Sequence, residues 1–209
     1  MIFRDAKKDE LEKIAELQTQ SYRNDPLFKI FVKNEKKRLK FNRAILETMI
    51  KASHKHHVVF VCVQDEQITA AAVVKPIDKP EISLLKYIAS GGFRVFLTGG
   101  IKNTFGFLEM LKEARSKCHE NYPNSWFLTA LTVSDSCQGQ GIGSKMIHDC
   151  IKPYIARNGG GVLTFITNTE INRTFYQKNG CIEFHGMSIR RKNIEISNWS
   201  YKLEIAPEL

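Results

Sequence analysis

A continuous run of apolar and β-branched residues at 126–133 is followed by a polar, glycine-rich turn and then by a helical pattern from Ser144 to about residue 157. A run of this composition suits a strand that is buried on both faces of a sheet. Three glycines at 159–161 end the helical pattern, and residues 162–167 form a second β-rich run. Strand, turn, helix and strand in this order predict a parallel strand pair, and therefore an α/β protein.

The rest of the chain supplies the remaining elements of such a fold. Further strands are predicted at residues 2–4, 57–63, 67–74, 182–189 and 194–203, and further helices at 7–22, 35–53 and 170–179. Residues 81–122 are predicted to form short helices that are interrupted by the glycine pairs at 91–92 and 99–100. We therefore expect a single domain over residues 1–209, with a central mixed sheet of about seven strands and helices on both faces.

Composition is that of an ordinary globular protein, with 43% apolar and 25% charged residues in a chain of 209. No apolar run approaches the roughly 20 residues that span a bilayer, and the N-terminus becomes charged too early for a signal peptide. The five cysteines are scattered and form no C-x-x-C pair, which favours free thiols in a reducing cytoplasm. No metal site is expected, because the histidines at 54, 56 and 57 lack a carboxylate or thiol to complete a ligand set.

The formal net charge is +9, and the densest basic stretch lies at residues 29–43. Such a balance is compatible with a nucleic-acid partner, a polyanionic cofactor or an acidic substrate. The sequence lacks a zinc-finger, RNA-binding or basic-zipper signature beside this stretch, which we interpret as a solvated helix face. Nucleic acid is therefore disfavoured as a partner.

The turn at residues 138–144 has the features of an anion site. The first N–H groups of a helix lack intrahelical partners and carry partial positive charge, so they suit a pyrophosphate. Glycines at 139, 141 and 143 would let phosphates approach the backbone. A Rossmann fingerprint is excluded because Ser144 and Met146 stand where its third glycine would fall. A P-loop is excluded because Ser144 precedes Lys145 instead of following it.

What remains is the pattern Q-x-x-G-x-G, formed by Gln138, Gly141 and Gly143, which resembles the coenzyme A loop of the GNAT superfamily of N-acetyltransferases. A second segment, from Asn172 through Phe175-Tyr176 to Gly180, is similar to a segment of that superfamily that ends in Gly-Phe, with Cys181 in place of the aromatic residue.

The resemblance covers about residues 125–184, the predicted cofactor-binding core, and is strongest to puromycin N-acetyltransferase-like members. Those members carry Glu-Thr after the second strand, whereas this chain has Thr167-Asn168, so the resemblance does not carry over the same amine substrate.

The resemblance implies transfer of an acetyl group from acetyl-CoA to a primary amine, with a small molecule as the expected acceptor. It assigns Tyr176 as the proton donor to the leaving thiolate, a role that a phenol protonated at neutral pH can fill. It places Leu131, Thr132 and Val133 beside the pantetheine arm, with the region 131–132 supplying an oxyanion N–H. The same resemblance implies cofactor contacts for the turn and one further residue: Gln138, Gly139, Gln140, Gly141, Ile142, Gly143, Ser144 and Asn172.

Other features of the reaction stay open at the level of sequence. The general base is not evident; Asp135, His119 and Glu120 are candidates, and a water chain is an alternative. The acceptor could also be a protein amine, and the chain could bind coenzyme A as a regulatory module without turnover. A nucleic-acid binder that uses residues 29–43 would show steep salt dependence but lacks an aromatic platform. A homodimer is compatible with the sequence.

Overall fold

The computed structural model describes residues 1–208, and a single seven-stranded sheet runs through them. The strands are β1 (Ile2–Asp5), β2 (Val58–Gln64), β3 (Gln67–Lys75), β4 (Trp126–Val133), β5 (Gly161–Thr167), β6 (Ile182–Arg191) and β7 (Ile194–Ile205). Their order across the sheet is β1-β2-β3-β4-β5-β7-β6. The pair β4–β5 is parallel and the other neighbours are antiparallel. The predicted α/β fold with a mixed sheet of about seven strands is confirmed.

Helices cover both faces of this sheet. They are α1 (Leu11–Ser21), α2 (Pro26–Lys29), α3 (Glu35–His56), α4 (Leu84–Tyr87), α5 (Phe93–Asn121), α6 (Ile142–Lys145), α7 (Lys152–Arg157) and α8 (Glu170–Lys178). A π-helical turn, Met146–Ile151, joins α6 to α7, so residues 142–157 form one helix. None of the helices over residues 1–208 combines the length and apolar content that a bilayer crossing requires.

The strand β3 shows how the chain builds a core on each face. Its side chains alternate, as β-structure requires: Ala70 and Ala72 pack in the cluster under α6–α8, whereas Ala71 and Val73 pack in the cluster under α1 and α3. All four side chains have no solvent exposure. Small residues at the centre of the sheet allow both helical layers to approach it closely.

The glycine pairs of the middle segment act as predicted, and each glycine of a pair has its own reason. Gly91 and Gly100 have φ values of 101° and 74°, which break the helical path. Gly99 lies so close to the ring of Phe41 that an added Cβ would come within 2.1 Å of it. One glycine of this pair therefore permits the bend and the other permits the contact that the bend creates.

One local expectation needs correction. Helix α3 extends to His56, beyond its predicted end at residue 53, so His54 and His56 are helical; Nε2 of His54 lies 3.1 Å from the carbonyl oxygen of Ala6. The five cysteines are free, as predicted, and four of them are buried.

The first ion pair along the chain fastens β1 to the start of α1. The guanidinium of Arg4 donates to both carboxylate oxygens of Glu10 at 2.8 and 2.6 Å, and the N–H of Lys7 donates to the same group at 2.8 Å. The bond from Arg4, followed by that from Lys7, lowers the pKa of Glu10 to about 2.

We expect Glu10→Gln to lower the free energy of unfolding at pH 7 by about 1–2 kcal/mol, because a bidentate pair is lost at a partly exposed site. A pKa that is lowered on folding stabilises the protein above the unfolded-state pKa, and this contribution disappears as the pH falls toward 2. Urea unfolding at pH 7 and pH 3 should therefore show a smaller difference between the variant and the wild type at pH 3. Glu109→Gln, at an exposed position, serves as the control; an equal effect at both pH values would contradict the assignment.

Candidate active site

The strands β4 and β5 separate soon after they begin, which opens a gap in the sheet. Their pairing covers Trp126 with Leu163 and Phe127 with Thr164, and no further pair joins them in the described chain. On its other side β4 stays paired with β3 up to Val133. The β5-facing backbone groups in the second half of β4 are therefore free of strand partners, at the carboxyl end where ligands enter such sheets.

An irregularity in β4 lies at the start of this gap. Val73 of β3 faces Ala130, but the next residue, Val74, faces Leu128, so Thr129 is an extra residue on β4. Such a bulge bends the strand that carries it. It helps to turn the end of β4 away from β5.

One hydrogen bond shows in which direction the backbone N–H and C=O groups of this part of β4 point. The N–H of Ser134 donates to Thr69 of β3 at 2.8 Å. Backbone groups of successive strand residues alternate in direction, so the N–H and C=O groups of Val133 and Leu131 face the gap.

Two side chains at the C-terminal end of α1 donate hydrogen bonds to the carbonyl oxygens of Leu131 and Val133. The hydroxyl of Tyr22 donates to the Leu131 oxygen at 3.4 Å, and that of Ser21 donates to the Val133 oxygen at 3.2 Å. Burial raises the pKa of Tyr22 to about 12, so this hydroxyl keeps its proton at neutral pH. Thr132, whose side chain is buried, donates to the Tyr22 hydroxyl at 3.3 Å and so helps to fix it. The carbonyls are thus paired, and the N–H groups of Leu131 and Val133 remain directed at the gap.

The glycine-rich turn closes the same end of the gap. Gly139 and Gly141 have φ values of 77° and 76°, and space is open where a Cβ would stand at either residue. The helix that starts at Ile142 has no side-chain cap at its N-terminus, and its first backbone bond runs from Lys145 to Gly141. The N–H groups of Ile142, Gly143 and Ser144 are therefore without backbone partners in the part of the chain that the structure describes, which fits an anion site.

Within this turn the individual side chains have different tasks. Gln138 donates its amide to the Asp135 carboxylate at 3.0 Å, and Gln140 donates to the Ser136 oxygen at 3.2 Å, so both glutamines brace the loop itself. The side chain of Ile142 is buried in the core, which leaves only its backbone for a ligand.

Gly143 differs from its two neighbours in the motif. A Cβ there would lie 3.1 Å from the ring of Phe175, so this glycine permits close packing of two helices. Gly143 therefore has a packing requirement of its own, in addition to its predicted place beside the phosphates.

Tyr176 projects from α8 onto the opposite wall of the gap. Its ring lies 4.3 Å from that of Phe165 in β5 and 5.9 Å from that of Tyr201 in β7. Burial, with a smaller contribution from Tyr22, raises its pKa above the usual range, so the phenol is protonated at neutral pH. Within residues 1–208 its hydroxyl forms no hydrogen bond. Cys181, which replaces the expected aromatic residue, is buried in the same cluster.

Asn172 lies one turn before Tyr176 on α8, which places both on one face of the helix. Its side chain is exposed, and its N–H donates to the Thr169 hydroxyl that caps this helix. Asn168, which follows β5, donates to the Ser197 oxygen at 2.9 Å and so ties β5 to β7.

The candidate bases that the sequence suggested lie in unpromising places. Asp135 is exposed and holds Gln138, and Glu120 pairs with Lys117 on the surface. His119 stacks on Phe127 with ring centroids 5.5 Å apart, at the base of β4.

The structure offers a carboxylate that sequence analysis missed. Asp25 is half-buried, and its burial raises its pKa to about 6. It caps α2 by accepting from the N–H of Leu27 at 2.9 Å, and its charge acts on the nearby phenol of Tyr22. In a sequence, an Asp-Pro pair is typical of a helix boundary, and only the position of Asp25 beside Tyr22 distinguishes it from an ordinary cap. Over residues 1–208 no group of His, Cys, Asp and Glu side chains is arranged to hold a metal ion.

A separated parallel strand pair, an uncapped helix terminus at its open end and a buried tyrosine beside it define an acyltransferase-type α/β fold. The family model described as "Acetyltransferase (GNAT) domain" matches residues 63–203, and the chain belongs to that family. The match includes the predicted core at about 125–184. Members of this family are acetyl-CoA-dependent N-acetyltransferases in general.

Solved structures show the same fold along the whole chain. One is a histone acetyltransferase HPA2 and related acetyltransferase from Corynebacterium glutamicum, with a TM-score of 0.62 and 15% identity over 99% of this chain and 96% of that one. Another is a polyamine N-acetyltransferase from Drosophila melanogaster, with a TM-score of 0.61 and 15% identity over 98% and 99%. A third is a ribosomal-protein-alanine N-acetyltransferase from Brucella melitensis, with a TM-score of 0.59 and 13% identity over 98% and 100%. No curated protein matches the chain in sequence.

Proposed function

We propose that this protein transfers an acetyl group from acetyl-CoA to the primary amine of a small molecule. The observation that carries the proposal is the gap between β4 and β5, which ends at the uncapped N-terminus of the 142–157 helix and has Tyr176 on its wall. A thioester is already activated, so what the protein must supply is position, hydrogen-bond donors and proton transfer.

The backbone would hold the cofactor at two places. The free N–H groups at the start of the 142–157 helix suit the pyrophosphate, with Gly139 and Gly141 leaving room for it. The N–H groups of Leu131 and Val133 face the gap and suit the amide-bearing arm or the thioester oxygen. Asn172, exposed at the start of α8, would contact the far end of the cofactor or a water.

Two side chains on opposite walls would handle the protons. Tyr176 keeps its proton because it is buried, and it would donate that proton to the departing sulfur. A thiolate in the same gap is destabilised by the same desolvation, so the raised pKa of the phenol does not forbid the transfer. Asp25, with a pKa of about 6, is a carboxylate at neutral pH and would accept a proton from the amine, directly or through one water.

The acceptor is proposed to be a small molecule in the cytoplasm. The likeness of residues 125–184 to puromycin N-acetyltransferase-like members supports it, as does the polyamine substrate of the Drosophila relative. The second candidate acceptor is a protein amine such as an N-terminus, because one of the similar structures is the ribosomal-protein-alanine N-acetyltransferase from Brucella. Free, mostly buried thiols support the reducing compartment.

The direct test mixes the purified protein with acetyl-CoA and a panel of amines and peptides, and follows the release of free thiol. Release with a small amine supports the proposal, and release with peptides alone favours the protein acceptor. Binding of coenzyme A by calorimetry without any thiol release would indicate a regulatory module. Absence of both binding and release would remove the proposal.

A glycine substitution in the turn should weaken the binding of coenzyme A without unfolding the protein. We expect Gly141→Ala to reduce coenzyme A affinity about tenfold, because a Cβ at φ 76° strains the backbone that presents the N–H groups. Gly159→Ala is a matched control, since Gly159 has φ 94°, is equally open, and lies past the other end of the same helix. Both variants should melt earlier, but only Gly141→Ala should lose affinity in calorimetry; an equal affinity in the two variants would contradict the role of the turn.

A further inference from the structure

A cavity of about 470 Å³ lies in the helical layer formed by α3, α4 and α5. Its walls are mainly apolar, with Ile45 and Met49 from α3, Tyr87 and Ile88 from the segment after β3, and Leu111 from α5. Ile88 is exposed at 41%, so the cavity reaches the surface there. Its volume falls in the range of about 300–1,000 Å³ that is typical of small-molecule sites.

Aromatic side chains separate this cavity from the candidate active site. Phe107 lines the cavity, and its ring lies 5.3 Å from that of Phe28. Phe28 in turn stacks on Tyr22 at 5.8 Å. The cavity is therefore neighbour to the gap but walled from it by two rings.

The polar end of the cavity carries an arginine without an acidic partner. Arg115 stacks its guanidinium 5.1 Å above the ring of Phe127, and its Nε is buried without a hydrogen-bond partner in the described chain. No carboxylate within residues 1–208 lies within ion-pair distance of it, whereas Arg43 and Arg173 each pair with glutamates. A buried donor without an acceptor is unfavourable.

The other ionisable groups on the lining are few. Lys112 lies one turn before Arg115 on α5, and burial lowers the pKa of His119 so that its ring is neutral at neutral pH. The exposed Glu81 is the single acidic residue among the lining residues of the described chain. An apolar chamber that ends in an unpaired guanidinium complements a ligand with an apolar body and an anionic end. Arginine binds planar carboxylates through two parallel N–H bonds.

We propose that this cavity binds a small hydrophobic carboxylate, with the carboxylate on Arg115 and the aliphatic or aromatic body against the walls from α3 and α5. The proposal does not rest on acetyl transfer, because neither the proposed ligand nor its binding requires the cofactor.

The test is calorimetry in the absence of coenzyme A, with octanoate, octan-1-ol and octylamine as probes. We expect octanoate to bind with one site per chain and at least tenfold more tightly than the neutral and cationic probes. Equal affinity for the three probes, or no binding of octanoate, would overturn the proposal. Because no cofactor is present, neither result bears on the transferase activity.

Variants locate the site. Arg115→Met should lower the affinity for octanoate at least tenfold. Lys117→Met should leave it unchanged, because Lys117 lies two residues further along the same helix and does not line the cavity. Ile88→Trp should narrow the mouth of the cavity and lower the affinity for octanoate, whereas Ala89→Trp should leave that affinity unchanged. Circular dichroism should show that each variant is folded. Wild-type affinity in both Arg115→Met and Ile88→Trp would refute the assignment.

Discussion

Replacing Tyr176 by phenylalanine should lower the rate of acetyl transfer by about 10²- to 10³-fold and leave coenzyme A affinity nearly unchanged. A positioned general acid contributes about 10²–10⁴-fold, and the phenylalanine ring preserves the packing on Phe165 and Tyr201. The hydroxyl has no protein partner within residues 1–208, so its loss leaves no buried group unsatisfied. The change therefore removes a proton donor and little else.

The measurement is thiol release under saturating acetyl-CoA, with calorimetry of coenzyme A and a thermal melt on the same preparation. Tyr154→Phe is the matched control, because Tyr154 packs on Phe60 and Trp126 next to the same core and also lacks a hydrogen bond from its hydroxyl in the described chain. A Tyr176→Phe enzyme that turns over as fast as Tyr154→Phe would remove Tyr176 from the chemistry and leave it a core residue.

The architecture was predictable because local patterns and the turn motif agreed. The buried run of β4, the glycine turn and the helix behind it admit few other topologies, and the paired glycines of the middle segment indicated its bends. The motif around Gln138 also located the helix terminus, since glycines at φ near 77° have a physical requirement that the sequence records.

The parts that were missed depend on long-range contacts. The bulge at Thr129 follows from pairing with β3, and the requirement for Gly143 follows from contact with Phe175, more than 30 positions away in the sequence. Asp25 resembles any helix cap until its neighbour Tyr22 is placed on β4. The cavity beside Arg115 arises only when α3 and α5 pack together, because no single segment encloses it.

Asp25→Asn should lower kcat/KM by about 10²- to 10³-fold at pH 8 and should remove an acidic limb from the pH profile. The carboxylate is the active form, so wild-type activity should rise with pH through about 6, where the pKa of Asp25 lies, and then level off. Asparagine still accepts the N–H of Leu27 at the start of α2, so the helix cap is retained. The variant should therefore lose the base while keeping the local fold.

The free energy of unfolding provides an independent check, because Asp25→Asn should lower activity but raise stability. A carboxyl whose pKa is raised on folding stabilises the protein fully below its unfolded-state pKa, and that contribution is lost as the pH rises through about 6. Wild-type protein at pH 8 therefore carries a half-buried charge that Asp25→Asn lacks, and we expect the variant to be about 1 kcal/mol more stable there in urea unfolding.

Asp149→Asn is the control for the last pair of measurements, because Asp149 is an exposed carboxylate in the middle of the 142–157 helix, away from its N-terminus. It should keep the wild-type pH profile and gain no stability at pH 8. An Asp25→Asn enzyme that keeps the limb near pH 6 would assign that limb, and the base, to another group. A variant that is both inactive and destabilised would make Asp25 a structural cap. A catalytic carboxylate whose charge is unfavourable for folding should instead give a variant that is inactive but more stable.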